Sequence, residues 1–305
     1  MIFLEDLSPE QRAKYLEEKG KESADLSSIR AKARYRCSQT NIVQAGDLIL
    51  FSSEIKTEYL LSASASDPNL FHVRLVDYVY ATDPKSVEDS FQVVVPIEYI
   101  RNNILFTLNS DGAIIDINNI EDIKSEWDKF KTKDLPKIDF YKKVIKQNIS
   151  VASDMEKTGD LEYSNVSNLS KILDQNLFHH IFTRSHAGEN VKNYNLNYQS
   201  TLFPGQKINI EVAVDTFRNG KAANYRLSGT LDKKNISTDK LKEEYDKLYK
   251  PLLKYNYTEF DFVYDIDYCI DNNEKILDTA RATLEEKIKN NYESKTLFTI
   301  KKVEL

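Results

Sequence analysis

An α+β protein with two antiparallel-sheet halves, packed amphipathic helices and a helical N-terminal arm is the fold class that three observations predict. Long stretches alternate apolar and polar residues with a period of two. Successive strands are joined by polar turns rather than by crossover helices, which favours antiparallel pairing. The aromatic residues are 18 Tyr and 14 Phe against one Trp, a skew that suits a pleated, half-buried surface. With 305 residues the chain is long enough for one large domain or two of ordinary size, and its core needs no metal or disulfide staple.

Residues 1–34 read as the helical arm. Ser8-Pro9-Glu10-Gln11 offers a capping residue, proline at the first helical position and a Gln three residues after the cap. Gly20 closes that helix, and Lys21 to Arg34 reads as a second one. The first β-rich half spans residues 35–130. Its strands are Leu48–Phe51, Glu54–Leu61, a half-buried strand with Phe71, Val73 and Leu75 opposite His72 and Arg74, and Phe91–Val95, ended by Pro96. Ile104–Leu108 and Ala113–Ile117 flank Asn109-Ser-Asp-Gly112, a hairpin signal. A helix from Asn119 carries Ile120, Ile123, Trp127 and Phe130 on one stripe.

Residues 131–185 read as a mostly helical connection. Pro136 opens a helix with Ile138, Val144 and Ile145, and the polar stretch Ser150–Ser170 is expected to be loop or a short helix between loops. The second β-rich half, 186–305, begins with Ile208, Ile210, Val212 and Val214 alternating with polar residues. Asn219-Gly220 turns this strand toward Tyr225, Leu227 and Leu231. Ser237–Tyr249 is a helix with Leu241, Tyr245, Leu248 and Leu252 at helical spacing, limited by Pro251. Phe260 to Ile270 is the longest strand signal, turned by Asp271-Asn-Asn-Glu274, and Lys275–Leu284 and Thr296–Val303 complete the sheet. The succession of strand, polar hairpin, strand and closing helix resembles the curved-sheet architecture of bacterial carrier proteins, a likeness of fold that carries no shared motif.

The net charge of −6, from 48 acidic and 42 basic residues interspersed along the chain, argues against a nucleic-acid partner. No apolar run approaches the length of a membrane span. The N-terminus has no signal-peptide pattern, so a cytoplasmic protein is expected, and Cys37 and Cys269 are expected to be reduced and structural. Asn148, Asn165, Asn168, Asn235 and Asn256 head Asn-x-Ser/Thr triplets, a number that chance explains in so Asn-rich a chain. With 8 Gly and no Gly-x-Gly-x-x-Gly, Walker loop or Gly-x-Ser-x-Gly elbow, no nucleotide site, cofactor or catalytic nucleophile is predicted.

Three constellations remain. His179, His180 and His186 stand near Asp174, Arg184 and Glu189, and imidazole serves both as metal ligand and as base. Their spacing matches no established motif, and neighbouring histidines diverge on a helix or a strand, so a polar segment end is the simpler reading. Asp261, Asp265, Asp267 and Asp271 share one parity of the long strand. They read as a solvated face that discourages edge association, a docking surface for a basic partner, or a calcium site. On the other parity, Phe260, Phe262, Tyr264 and Tyr268 read as core or as the lining of an apolar-ligand cavity. The function these features favour is non-catalytic: an interaction or structural protein, such as a subunit of a bacterial assembly or an inhibitor-type partner, that binds another protein. The first alternative is a curved-sheet carrier of an apolar or lipid-like ligand, and the second a metal-dependent enzyme using the histidine segment.

Overall fold

Aromatic and β-branched residues at alternating positions favour extended backbone over long stretches of this chain, and the strands among the described residues join one sheet. The computed structural model describes residues 8–11, 14, 28–219, 222–232, 234, 236–271 and 274–305. The strands begin with β1 (Ile29–Ala45), β2 (Leu48–Ser64) and β3 (Leu70–Asp83), followed by helix α1 (Glu88–Arg101) and the hairpin β4 (Asn103–Leu108) and β5 (Ile114–Ile117). Five helices come next: α2 (Ile120–Lys129), α3 (Asp139–Gln147), α4 (Ile149–Glu162), α5 (Val166–Leu173) and α6 (Leu177–Ala187). The chain then returns to strands β6 (Tyr194–Gln199), β7 (Lys207–Asn219) and β8 (Ala222–Leu231), helices α7 (Thr238–Leu248) and α8 (Lys250–Leu253), and strands β9 (Phe260–Asp271), β10 (Ile276–Ile288) and β11 (Tyr292–Val303).

The 11-stranded sheet runs β5-β4-β3-β2-β1-β11-β10-β9-β8-β7-β6. It therefore consists of two meanders, β1–β5 and β6–β11, welded by antiparallel pairing of β1 with β11, where Cys37 faces Ile300. Every neighbouring pair is antiparallel.

Helix α6 packs on the inner face against β9 and β10. Tyr35, Tyr59, Phe71 and Phe106 from the sheet are buried beneath Phe178 and Phe182 of the helix, with Tyr59 and Phe178 stacked at 4.0 Å. A buried phenol must find a partner, and Tyr35 does so by donating to the Leu277 carbonyl at 2.7 Å.

Four local expectations are corrected. Phe91–Val95 is not a strand but the middle of α1, with Pro96 inside the helix. Glu88 and Asp89 stabilise its first turn, and burial of Phe91, Val93 and Val95 overrides the β preference of the valine run. Residues 29–34 are strand rather than helix, because Ala33, Tyr35 and Cys37 point alternately into the core. Ser150–Ser170 is not loop but α4 and α5. Asn148 and Asn165 cap these helices by accepting from Ser150 N–H at 3.1 Å and Asn168 N–H at 2.9 Å. The strand Phe71–Leu75 is buried on both parities, with His72 bonded to Asn103 at 3.0 Å.

At the start of the chain, Ser8 and Gln11 exchange the two capping-box hydrogen bonds, at 3.0 and 3.2 Å. Most of the predicted arm, including Gly20, lies outside the described residues, as do Gly220 and residues 272 and 273 of the predicted turns. Leu241 and Tyr245 are buried along α7 as its spacing predicts, whereas Leu248 and Leu252 are exposed.

Helices α4 and α2 approach closely at Gly159 of α4, where an added Cβ would lie 2.1 Å from the Trp127 ring of α2. Alanine there gains helix propensity but overpacks the contact. Gly159→Ala is expected to lower stability by about 1–3 kcal/mol, read as a shift of the urea midpoint without a change in slope.

Candidate ligand cleft

A cleft remains over the middle of the sheet. It has a volume of about 540 Å³ and lies between β1, β2, β10 and β11 below and the N-terminal end of α6 above, bordered by Ile55, Tyr59, Tyr78, Phe178, Tyr198 and Phe298. Asn176 caps α6 by accepting from Phe178 N–H at 3.0 Å and His179 N–H at 3.3 Å, which fixes where Phe178 enters.

One wall of this cleft is charged. Arg101, at the last turn of α1, donates Nε to Glu162 Oε1 at 2.6 Å and Nη2 to Glu162 Oε2 at 3.0 Å, and bonds Glu98 through Nη1. Burial opposes the guanidinium charge, and the two carboxylates more than restore it. The Asn102 side chain donates to the Glu98 carbonyl at 2.8 Å and to Glu98 Oε2 at 2.9 Å. Its oxygen is thereby turned toward His179 Nε2, at 2.6 Å.

All three nominated histidines lie on α6, yet their rings bond in different directions. His179 meets Asn102, and His186 meets Asn69 at 3.1 Å. His180 Nδ1 lies 3.1 Å from Asp174 Oδ1, and its Nε2 lies 2.7 Å from the Tyr264 hydroxyl and 3.3 Å from that of Tyr194. This sequence of carboxylate, imidazole and hydroxyl has the order of a nucleophile relay, but burial pushes the Tyr264 hydroxyl well up. The phenol therefore stays protonated. Among the described residues no group of three His, Cys, Asp or Glu side chains converges for a metal.

Burial, followed by the nearby Arg101 charge, lowers the His179 pKa from 6.5 to about 3. The unfolded chain takes up this proton first, so the stabilising contribution is complete above about pH 6.5 and is lost as pH falls toward about 3. The slope is at most ~1.4 kcal/mol per pH unit. His179→Gln is expected to flatten the pH dependence of unfolding free energy between about pH 6 and about pH 4, checked by urea titration at several pH values.

On β9, Phe260, Phe262, Tyr264 and Tyr268 are buried on the inner face. Phe262 packs on Tyr198 at 5.1 Å, and Tyr268 stacks on Tyr225 at 4.9 Å. The cleft lies over the neighbouring strands instead, and Tyr198 connects the two regions. On the outer face, Asp265 receives two hydrogen bonds from Arg226 at 3.0 and 2.7 Å, and Asp267 lies 3.9 Å from the same side chain. Asp261 is 3.8 Å from Lys287, and Asp271 is 3.5 Å from Lys302. The acidic stripe is thus matched by cations on β8, β10 and β11. Cys37 and Cys269 form no disulfide, and burial pushes both thiols up.

Glu98, Arg101, Asn102 and Glu162 are the functional candidates that sequence reasoning passed over. The Glu98–Arg101 spacing of three residues on a helix was the available signal, but it is visible only once 88–101 is read as helix.

No family model matches the chain, and no characterised protein matches it by sequence. Among solved structures the chain is similar to one titled for lipid–protein interactions in lipovitellin, at 9% identity and a TM-score of 0.42. That match covers 90% of this chain, which spans only 25% of the lipovitellin chain. No helix among the described residues is long and apolar enough to cross a membrane.

Proposed function

We propose that this is a non-catalytic binding protein whose central cleft receives a small amphipathic molecule. The observation that carries this reading is the cleft itself: about 540 Å³ of space bordered by aromatic rings and Ile55 together with polar side chains such as Gln39, Asn41, Thr57 and Thr296, with a partly buried Arg101–carboxylate clamp at one wall. Its size lies within the range of roughly 300–1,000 Å³ usual for small-molecule sites, and apolar walls with a few fixed polar groups are what such sites use for affinity and orientation. The rings would take the apolar body of the ligand, and Glu98 with Arg101 its polar end.

The neutral apolar fluorophore phenylnaphthylamine tests this directly. It is expected to brighten in a saturable way with the native chain. Thr57→Trp, which places an indole in the cleft, is expected to abolish the signal while thermal unfolding stays cooperative. Equal signals from both proteins would contradict the reading.

A second reading, a protein partner, is favoured by the tip of the β1–β2 hairpin. Leu48, Ile49 and Leu50 are 64%, 57% and 41% exposed there, in one short apolar run that water alone does not explain. The aspartates of β9, with their own cations beside them, offer such a partner less unbalanced charge. A stoichiometric partner recovered with the native chain and lost with the Leu48→Ser, Ile49→Ser double variant would support this reading; equal recovery by both would refute it.

A further inference from the structure

A second cleft, of about 520 Å³, lies on the other side of α6, bordered by the β4–β5 hairpin and α5. The hairpin is held close to the helix. Gly112 in its turn has φ +77°, and a Cβ there would meet the Thr183 carbonyl at 2.2 Å, so only glycine permits this approach.

Two buried polar atoms of residues bordering this cleft have no hydrogen-bond partner: His179 Nδ1 and Ser170 Oγ. The tautomer of His179 follows from its neighbours. Both donor positions of the Asn102 amide are taken by Glu98, so the oxygen facing His179 accepts, and His179 Nε2 carries the proton. Nδ1 is consequently a bare lone pair on an imidazole that is fully buried and held neutral by that burial. An acceptor in such a place is costly unless a donor reaches it. Elsewhere on the lining stand Lys171, exposed at the rim, and Arg184, with Asp174 at 3.1 Å from the guanidinium. With one acid against two cations the wall is net positive. Ile114, Ile115 and Val166 supply an apolar side.

We infer that this second cleft is a binding site for a small hydroxylated carboxylate with an aliphatic tail. The ligand hydroxyl donates to His179 Nδ1, its carboxylate faces Lys171 and Arg184 and accepts from Ser170, and its tail lies against Ile114 and Val166. This assignment is independent of the central cleft, which lies across α6 and has different lining groups.

Imidazole nitrogen NMR of the full chain, titrated with three matched probes, tests it. The probes are leucate (the α-hydroxy acid analogue of leucine), isocaproate, which lacks the hydroxyl, and the corresponding diol, which lacks the carboxylate. Leucate is expected to shift the His179 Nδ1 resonance saturably, and each of the other two to bind about tenfold more weakly, the loss of one net hydrogen bond or ion contact. His179→Leu removes the acceptor together with the donor to Asn102, and is expected to make leucate and isocaproate equivalent. Ser170→Ala, a milder change that removes an unpartnered hydroxyl, is expected to fold normally and weaken leucate about tenfold. Equal affinity of the native chain for leucate and isocaproate would overturn the proposal. So would the absence of any shift with all three probes, the result expected if the cleft holds only water. Neither failure touches the phenylnaphthylamine result, which reports on the other cleft.

Discussion

Arg101→Met is expected to lower the unfolding free energy by about 3–5 kcal/mol, because it leaves two carboxylates without their cation. Glu162 is 8% exposed and receives a two-pronged contact from Arg101, and Glu98 shares the same guanidinium. Removing the partner costs far more than the net worth of the pair, since the carboxylates must be hydrated or protonated where they stand. Arg101→Lys retains the charge but not the planar fork, and its cost is expected to be intermediate. Pairing Arg101→Met with Glu162→Met is expected to recover most of the loss, and urea unfolding of the single and double variants measures the coupling. If the single variant is within about 0.5 kcal/mol of the native chain, the range of ordinary surface substitutions, this wall of the cleft is not buried as described.

Glu286→Ala is expected to be the other severe substitution. Its carboxylate is 1% exposed and accepts from the Ser200 hydroxyl, from Thr201 N–H and Oγ1, each at 2.7 Å, and from Leu202 N–H at 3.4 Å. These donors belong to the turn after β6, which sets Thr201 at the cleft and buries Phe203 against Phe260 and Tyr249. Alanine orphans the donors and is expected to cost about 2–4 kcal/mol. Glu286→Gln keeps the shape but replaces an acceptor with a donor, and about 1–3 kcal/mol is expected. Chemical denaturation ranks the two, and amide exchange at Thr201 and Leu202 is expected to accelerate most.

Much of the sheet was legible because its signal is local. In β9 the buried Phe260, Phe262, Tyr264, Ile266, Tyr268 and Ile270 reproduce the period-two pattern residue for residue, and the Asp-Gly hairpin between β4 and β5 forms where its turn chemistry places it. The union of all strands in one sheet was not legible, since β1 meets β11 across almost the whole chain and no local pattern encodes that pairing. Helix α1 was hidden by a valine run, whose strand-like preference yields to tertiary burial, and by an internal proline that reads as a strand end. The candidate site suffered doubly. Arg101 lies in the misread helix, and its partner Glu162 lies 61 residues away in a stretch whose asparagines read as loop but act as caps. His180 and Tyr264 were each visible as residues of interest, but only the fold brings them to 2.7 Å.

Native mass spectrometry of the gently purified chain tests the central claim most directly. A carrier of an amphipathic molecule is predicted to retain one small-molecule equivalent per chain, released on unfolding and absent from Thr57→Trp prepared in parallel. An identical ligand complement in the native chain and Thr57→Trp would contradict the central cleft as the binding site, as would an empty native chain that takes up none of a panel of amphiphiles.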